Sequence, residues 1–229
     1  MPLDDIPEPV GPPTSASLRE TLAAGGVRLD RSPGVVTVVL DRPDVRNAQT
    51  PATWAALAAV GDWLPADVRV VVLRAEGPSF SAGLHVSAFQ PTPAGAEPSL
   101  LQRLAGVEPA QRVQVIAGIQ RSFTWWRASS AITIAAVQGH AVGAGFQLAL
   151  ACDLRLASTQ ARFAMRETSL GLVPDLAGTK PLVELVGYAR ALEICATGRW
   201  VDAPEAATLG LVNDVVDPER LDATVEDLV

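Results

Sequence analysis

Short, nearly continuous apolar runs alternate along the chain with segments whose apolar positions recur at helical spacing. The runs at residues 35–40, 68–74 and 132–137 are rich in β-branched residues, which is typical of strands buried on both faces of a sheet. Further strands are predicted at 153–157 and 161–165, and helices at 51–64, 110–127, 179–186, 188–197 and 204–209. Strands separated by helices predict an α/β fold.

Two segments lack this patterning. Residues 1–26 carry five prolines before residue 14 and few large apolar side chains, and this composition predicts a flexible arm. Residues 90–109 are rich in proline, alanine and glycine, which predicts a mobile loop that leads into the helix at 110–127.

Composition narrows the class of protein. With 229 residues, of which 48% are hydrophobic, the chain can bury one sizeable core without disulfides or a metal. The net charge of −7 argues against a nucleic-acid partner, although a local basic pocket for phosphates remains compatible with it. Cys152 and Cys195 lie in apolar contexts, so buried thiols are expected rather than a bridge or a nucleophile.

The chain is also expected to be cytoplasmic, with no membrane segment. Its N-terminus is acidic and proline-rich, where a signal peptide would be basic and then apolar. The longest apolar stretch is interrupted by Gln138, Gly139 and His140, and so falls short of the ~18 residues that a membrane span needs.

Candidate chemistry lies in two glycine-containing turns, each of which follows an apolar strand-like run. Gly83 precedes Leu84, and Gly143 precedes Ala144 at the start of an apolar helical stretch. Glycine removes side-chain bulk beside the next main-chain N–H, and the first amides of a helix favour negative charge. The N–H groups of Leu84 and Ala144 could therefore form an oxyanion hole. The alternative is two tight turns that only connect strands to helices.

This pair of turns, with its flanking segments, resembles the enoyl-CoA hydratase/isomerase (crotonase) family, whose members stabilise a thioester enolate with one amide from each turn. The resemblance runs from about residue 27 to 216 through DRPDVRNA, SFSAGLH, QGHAVGAGFQLALACD and RFAMRETSLGLVPDLAGT. It implies a crotonase-like spiral of ββα units over 27–216, and a C-terminal helical part that begins at 217–229 and is truncated here. It also implies a homotrimer, often paired into a hexamer.

The resemblance places the family's catalytic carboxylate at Glu167. Gln147 stands where two-glutamate hydratases carry their other glutamate, and an amide can orient a water or a carbonyl but cannot exchange a proton. Asp175 falls where dienoyl-CoA isomerases place a second acid, although Pro174-Asp175 could equally form a turn in which Asp175 caps the next helix. The structural alternative for Glu167 is a surface ion pair with Arg166 or Arg162.

Contacts to coenzyme A are implied at Arg46 and Ala48, and at the turn residues Ser81, Ala82, Gly83 and Gly143. No cofactor other than the coenzyme A of the substrate is expected, and two isolated histidines give no support for a metal site. His85 is expected to cap the short turn that follows it, and His140 to be structural. Phe123, Trp125 and Trp126 could line an acyl pocket, but core packing explains them as well or better.

These residues predict an enzyme of fatty acid metabolism that acts on an acyl-CoA. Isomerisation of a double bond needs one base, whereas two-carboxylate hydration loses a participant at Gln147, so isomerisation is the preferred prediction. The alternatives are hydration, non-catalytic binding of an acyl-CoA, and thioester hydrolysis or another enolate reaction that uses the same oxyanion hole.

Overall fold

Four of the five predicted strands lie in a six-stranded sheet, and the fifth, at 161–165, lies in a second sheet. In this computed structural model, residues 15–90 and 98–229 are described. The strands are β1 (Val27–Ser32), β2 (Val35–Leu40), β3 (Val70–Ala75), β4 (Ile132–Val137), β5 (His140–Val142), β6 (Leu154–Ser158), β7 (Arg162–Ala164), β8 (Val201–Asp202) and β9 (Asp214–Val216). The helices are α1 (Ser15–Gly25), α2 (Pro51–Trp63), α3 (Leu100–Ala105), α4 (Pro109–Ala128), α5 (Ala144–Ala151), α6 (Thr179–Val186), α7 (Tyr188–Thr197), α8 (Ala203–Thr208) and α9 (Leu221–Glu226).

Both faces of the large sheet are covered, which explains the continuous apolar runs. The strand order in this sheet is β1-β2-β3-β4-β6-β9. Its strands are parallel from β2 to β9, and only β1 pairs antiparallel, with β2. On β3, Val71 faces the main core whereas Val70 and Val72 face a smaller cluster that contains Leu221 and Val225 of α9. Residues 217–229, predicted as helical, thus form a 3₁₀ turn and α9 against the outer face of the sheet.

A second sheet, of the order β5-β7-β8, gives the fold its spiral form. In the units β4-β5-α5 and β6-β7-α6, the first strand joins the large sheet and the second joins the small one, and each pairs parallel with its counterpart in the other unit. The α/β fold of ββα units is therefore as predicted.

Helix α1 is a correction to the predicted flexible arm. The five prolines all precede residue 14 and lie outside the described residues, whereas residues 15–25 contain none and form a helix. Leu18 and Leu22 lie one turn apart on α1 and are buried against the main core. The prediction of flexibility is therefore wrong for residues 15–25.

The segment at 90–109 is only partly described. Residues 91–97 lie outside the described part, but α3 begins at Leu100 with a capping box between Ser99 and Gln102. A helix thus occupies part of the predicted loop. Both cysteines are free, Cys152 buried and Cys195 half-buried, and burial raises the pKa of the Cys152 thiol to about 12. None of the described helices is both long and apolar enough to span a membrane.

Candidate active site

The two glycine turns are held against each other by main-chain hydrogen bonds. Ser81 N–H donates to His140 C=O at 2.9 Å, and Val142 N–H donates to Ser81 C=O at 3.0 Å, so the first turn extends the edge of β5. On its other side, Gln49 N–H donates to Gly83 C=O at 2.7 Å. Secondary structure, rather than side-chain packing, therefore fixes the first turn beside the second.

Glycine is required at both turns by the closeness of this approach. Gly83 has φ +87°, and a Cβ there would lie 2.5 Å from Val142 O and 3.6 Å from Ala144 N. Gly143 has φ +51°, and a Cβ there would lie 3.1 Å from Glu167 Oε1. The first turn thus reaches the start of α5, and the second turn faces the carboxylate.

The N–H groups of Leu84 and Ala144 are free to bind a ligand. Among the described residues, neither group donates a hydrogen bond to the protein, and both residues border the same cavity. Ala144 is the first residue of α5, where the helix leaves its amides without internal partners. The proposed oxyanion hole is thus compatible with the geometry of both turns.

The cavity beside these amides has a volume of about 190 Å³ and a largely apolar wall. Apolar side chains from α2, α3, α4 and the loops line it: Trp54, Leu84, Phe89, Leu100, Leu101, Leu104, Ile116, Ile119, Leu170, Leu172, Val173 and Leu176. Sequence reasoning missed Trp54, whose Nε1 donates to Gln49 Oε1 at 2.7 Å. Of the aromatic residues considered as pocket lining, Phe123 and Trp126 are buried in the core and Trp125 is half-buried against it, and none of the three lines this cavity.

Glu167 lies on the cavity wall and is mostly buried. Its Oε1 accepts a hydrogen bond of 2.7 Å from Gln147 Nε2, and its Oε2 has no partner among the described residues. Burial raises the pKa of Glu167, the hydrogen bonds from its own backbone and from Gln147 oppose that rise, and the charge of Asp175 adds to it. A carboxylate whose pKa is raised toward neutrality is suited to accept and return a proton.

The surface ion pair considered for Glu167 does not form. Arg166 donates to Gly198 C=O, and the Arg162 guanidinium lies over the Trp200 ring. Neither arginine forms an ion pair with Glu167 in the described chain.

Gln147, predicted as a catalytic residue, does not line the cavity. Its side chain is 1% exposed and lies behind Glu167, away from the cavity wall. Its Oε1 accepts hydrogen bonds from Leu176 N–H at 2.9 Å and Gly178 N–H at 3.2 Å. Gln147 therefore contacts Glu167 and not the space for a substrate, because every polar atom of its amide is already engaged by the protein.

Asp175 lies on the same cavity as Glu167. Burial raises the pKa of its carboxyl group. The alternative, in which it caps the next helix, is wrong because Gly178 is the N-cap of α6 and no side chain caps it. The cavity thus brings two carboxyl groups of raised pKa together.

The residues predicted to contact coenzyme A fall into three groups. Ala82, Gly83 and Gly143 line the cavity. Arg46 lies next to the cavity, because its C=O accepts a hydrogen bond of 2.9 Å from Ala82 N–H. The residue is exposed. Ala48 and Ser81 are buried away from the cavity wall, where Ala48 C=O accepts from Arg42 and Ser81 Oγ donates to Asn47 C=O, and their contacts with coenzyme A stay predictions.

Both histidines have the structural contacts that were predicted. His85 is the N-cap of the 3₁₀ turn Val86–Ala88, and its Nδ1 accepts from Ser87 N–H at 3.3 Å. His140 packs edge-on against Trp200 and lies 3.3 Å from Ser79 Oγ through its Nδ1.

Comparison with known proteins decides the family. The sequence model of the enoyl-CoA hydratase/isomerase family matches residues 30–228. The chain belongs to this family. It is 33% identical over 200 residues to (E)-benzylidenesuccinyl-CoA hydratase of Thauera aromatica, covering 85% of this chain and 71% of that relative. A mitochondrial relative from Arabidopsis thaliana is 35% identical over 182 residues, which are 79% of this chain but only 56% of the relative's length.

Solved structures of this family share the architecture. A Thermobifida fusca YX protein crystallised in complex with acetoacetyl-CoA is similar with a TM-score of 0.85 and 49% identity, over 91% of this chain and 80% of that one. The crotonase-like α/β fold is therefore confirmed.

Proposed function

We propose that this chain is an acyl-CoA isomerase that shifts a double bond in an enoyl thioester. One observation carries the proposal: Glu167, whose Oε2 is buried without a partner among the described residues, lines the same apolar cavity as Leu84 and Ala144, whose N–H groups are free. A base beside two fixed donors is what deprotonation next to a thioester carbonyl requires. The acetoacetyl-CoA complex of the similar Thermobifida fusca protein supports coenzyme A as the carrier of the acyl group.

The reaction balances without a further reactant. The Glu167 carboxylate removes a proton from C2 of a 3-enoyl thioester, and the C–H electron pair moves into a dienolate whose oxygen accepts hydrogen bonds from Leu84 and Ala144 N–H. The protonated Glu167 then returns the proton to C4, which leaves a double bond between C2 and C3. Two backbone donors would each stabilise the oxyanion by roughly 2.7–4 kcal/mol relative to their absence.

Isomerisation is favoured over hydration because of Gln147. Syn hydration by two glutamates uses a second proton carrier. The Gln147 amide cannot act as an acid or a base at neutral pH, and its Oε1 already accepts from two main-chain N–H groups. A single base is sufficient for a proton shift between C2 and C4.

Hydration is the second candidate, and a specific observation favours it. Asp175 shares the cavity with Glu167 and has a raised pKa, so it could serve as the second carboxyl group. The Thauera aromatica relative also carries the name of a hydratase.

A panel of thioesters separates these functions. Absorbance assays would follow 3-enoyl-CoA and dienoyl-CoA substrates for isomerisation and 2-enoyl-CoA substrates for hydration, with calorimetry for binding. We expect isomerisation to give the larger kcat/KM. Faster hydration would assign the chain as a hydratase, and tight binding without turnover on any thioester would assign it as an acyl-CoA binder.

Assembly, location and pathway belong to the same proposal. A trimer or hexamer, a cytoplasmic location and a role in fatty acid metabolism are what the family resemblance suggests, and the mass in solution tests the first of these. Some relatives carry mitochondrial names, so membership of the family by itself leaves the compartment open.

A further inference from the structure

The Gln147 side chain makes three directed hydrogen bonds in a site closed to solvent. It projects from α5 with 1% of its surface exposed, and none of its three hydrogen-bonding partners is on the same helix. On one side it contacts Glu167, and on the other it contacts the loop that follows Asp175. An uncharged side chain therefore joins the two regions that carry the cavity's carboxyl groups.

Chemistry fixes the orientation of this amide. Leu176 N–H and Gly178 N–H can only donate, so the atom that faces them must be the carbonyl oxygen. The remaining Nε2 can only donate, and it meets a carboxylate oxygen that can accept. A flipped amide would place donors against donors and oxygen against oxygen, so the assignment of the two atoms follows from their partners.

The loop is shaped around the Gln147 oxygen. Ala177 has φ +66°, a left-handed conformation that is uncommon for alanine, and the two N–H groups that meet at Gln147 Oε1 belong to its neighbours on either side. A left-handed residue beside right-handed ones turns the neighbouring main-chain N–H groups toward one point. A Cβ at Gly178 would lie 2.6 Å from Gln147 Cγ, so the loop also needs glycine to approach.

We infer that Gln147 is a positioning residue: it clamps the loop that carries Asp175 and holds Oε1 of Glu167, so that only Oε2 is left without a partner among the described residues. The inference rests on the proposed function only for the role of Glu167 as proton carrier. The donated hydrogen bond favours the ionised carboxylate, and so it opposes the effect of burial on the pKa of Glu167. Gln147 thus favours the ionised form of Glu167, which is the form that can remove a proton from the substrate.

Two variants separate the two halves of the clamp. Gln147→Leu removes both the acceptor for the loop and the donor for Glu167. Gln147→Glu keeps an acceptor for Leu176 and Gly178 but, when ionised, has no donor for Glu167. Gln138→Leu is the matched control, because Gln138 also donates through Nε2 to main-chain oxygens, those of Ala75 and Gly77, but lies away from the cavity wall.

The primary measurement does not depend on turnover. With ¹³C-labelled glutamate carboxyl groups, the Glu167 signal is the one that Glu167→Gln removes, and its titration is followed by NMR in each folded variant. We expect Glu167 to titrate at higher pH in Gln147→Leu and Gln147→Glu than in the natural chain, and at unchanged pH in Gln138→Leu. Amide hydrogen exchange at Leu176 and Gly178 should accelerate by about tenfold or more in Gln147→Leu and stay slow in Gln147→Glu.

Kinetics then distinguish positioning from binding. Since Gln147 does not line the cavity, its loss should lower kcat by roughly 10²-fold with little change in KM. An unchanged Glu167 titration in both Gln147 variants, or an equal shift in Gln138→Leu, would overturn the inference. If the natural chain turns over no thioester, the proposed function fails, while the titration and the exchange rates still decide the role of Gln147.

Discussion

The two walls of the cavity are built in different ways. On the oxyanion side, the groups that would meet the substrate are main-chain N–H groups, held in place by strand pairing between Ser81 and β5. On the acid–base side, the groups are side chains, and Oε1 of Glu167 accepts a hydrogen bond from the Gln147 side chain. One wall therefore depends on backbone conformation and the other on the identity of a few residues.

This difference predicts different tolerances to substitution. At a main-chain donor, almost any side chain leaves the N–H in place, provided that the neighbouring glycine can keep its positive φ. At Glu167, a change of one atom removes the base. Mutations should therefore divide into those that act through conformation and those that act through chemistry.

Glu167→Gln should have the largest effect. The substitution keeps the shape of the side chain and can still accept from Gln147 Nε2, but it removes the proton carrier. We expect kcat to fall by about 10²–10⁴-fold, with the calorimetric affinity for a thioester nearly unchanged. An enzyme that keeps its rate on 3-enoyl and dienoyl thioesters would remove Glu167 from the mechanism.

Gly83→Ala should disturb the oxyanion side of the cavity. The added Cβ would meet Val142 O at 2.5 Å, and φ at this position is +87°, so the turn must move and carry Leu84 N–H with it. We expect a loss of about 10²–10³-fold in kcat, the range for losing one oxyanion donor.

Gly34→Ala is the matched control for this prediction. Gly34 also has a positive φ, +75°, but its nearest atom is Arg69 Cγ at 3.9 Å, in the turn between β1 and β2. Both variants should lose about 1–2 kcal/mol of stability from the left-handed conformation, and only Gly83→Ala should lose rate. Equal losses of activity would mean that strain, rather than the position of the donor, limits the enzyme.

The two walls also differ in how far the sequence predicts them. The glycine turns were predictable, because each glycine follows an apolar strand and the requirement is local. The bounds of α6 and α7, at 179–186 and 188–197, were predicted as the structure has them, since Gly187 separates two segments of helical periodicity. Local signals are sufficient wherever the structure is determined by local conformation.

Predictions failed where a role depends on distant partners. Gln147 was predicted as a catalytic residue, but its side chain contacts Leu176 and Gly178, about thirty residues away in sequence, and does not line the cavity. Trp54 reaches the cavity only because α2 packs beside α4. Helix α1 carried a local signal, the spacing of Leu18 and Leu22, which the preceding prolines obscured.

The pH dependence of stability should expose the burial of Glu167. Its folded pKa is raised above the ordinary value of 4.5, so between these two values the folded chain binds more protons than the unfolded chain. The free energy of unfolding therefore falls as pH rises through this window. Glu167→Gln removes this dependence, so its melting temperature should lie above that of the natural chain at pH ~8.

The same comparison at pH ~4, where both states of the natural chain are mostly protonated at this site, serves as its control. There the two melting temperatures should converge. A difference that is equal at both pH values would mean that the substitution acts through packing rather than through the buried charge. Differential scanning calorimetry over pH 4–8 measures both.

The smallest effect is expected at Leu84, where the donor is the backbone. Leu84→Met keeps the volume and apolar character of a half-buried side chain on the cavity wall, and leaves the N–H between Gly83 and His85. We therefore expect kcat to stay within about threefold of the natural chain, with any change in KM reflecting contact with the acyl group. A loss of kcat as large as that of Gly83→Ala would show that the Leu84 side chain, and not its main chain, carries this wall of the site.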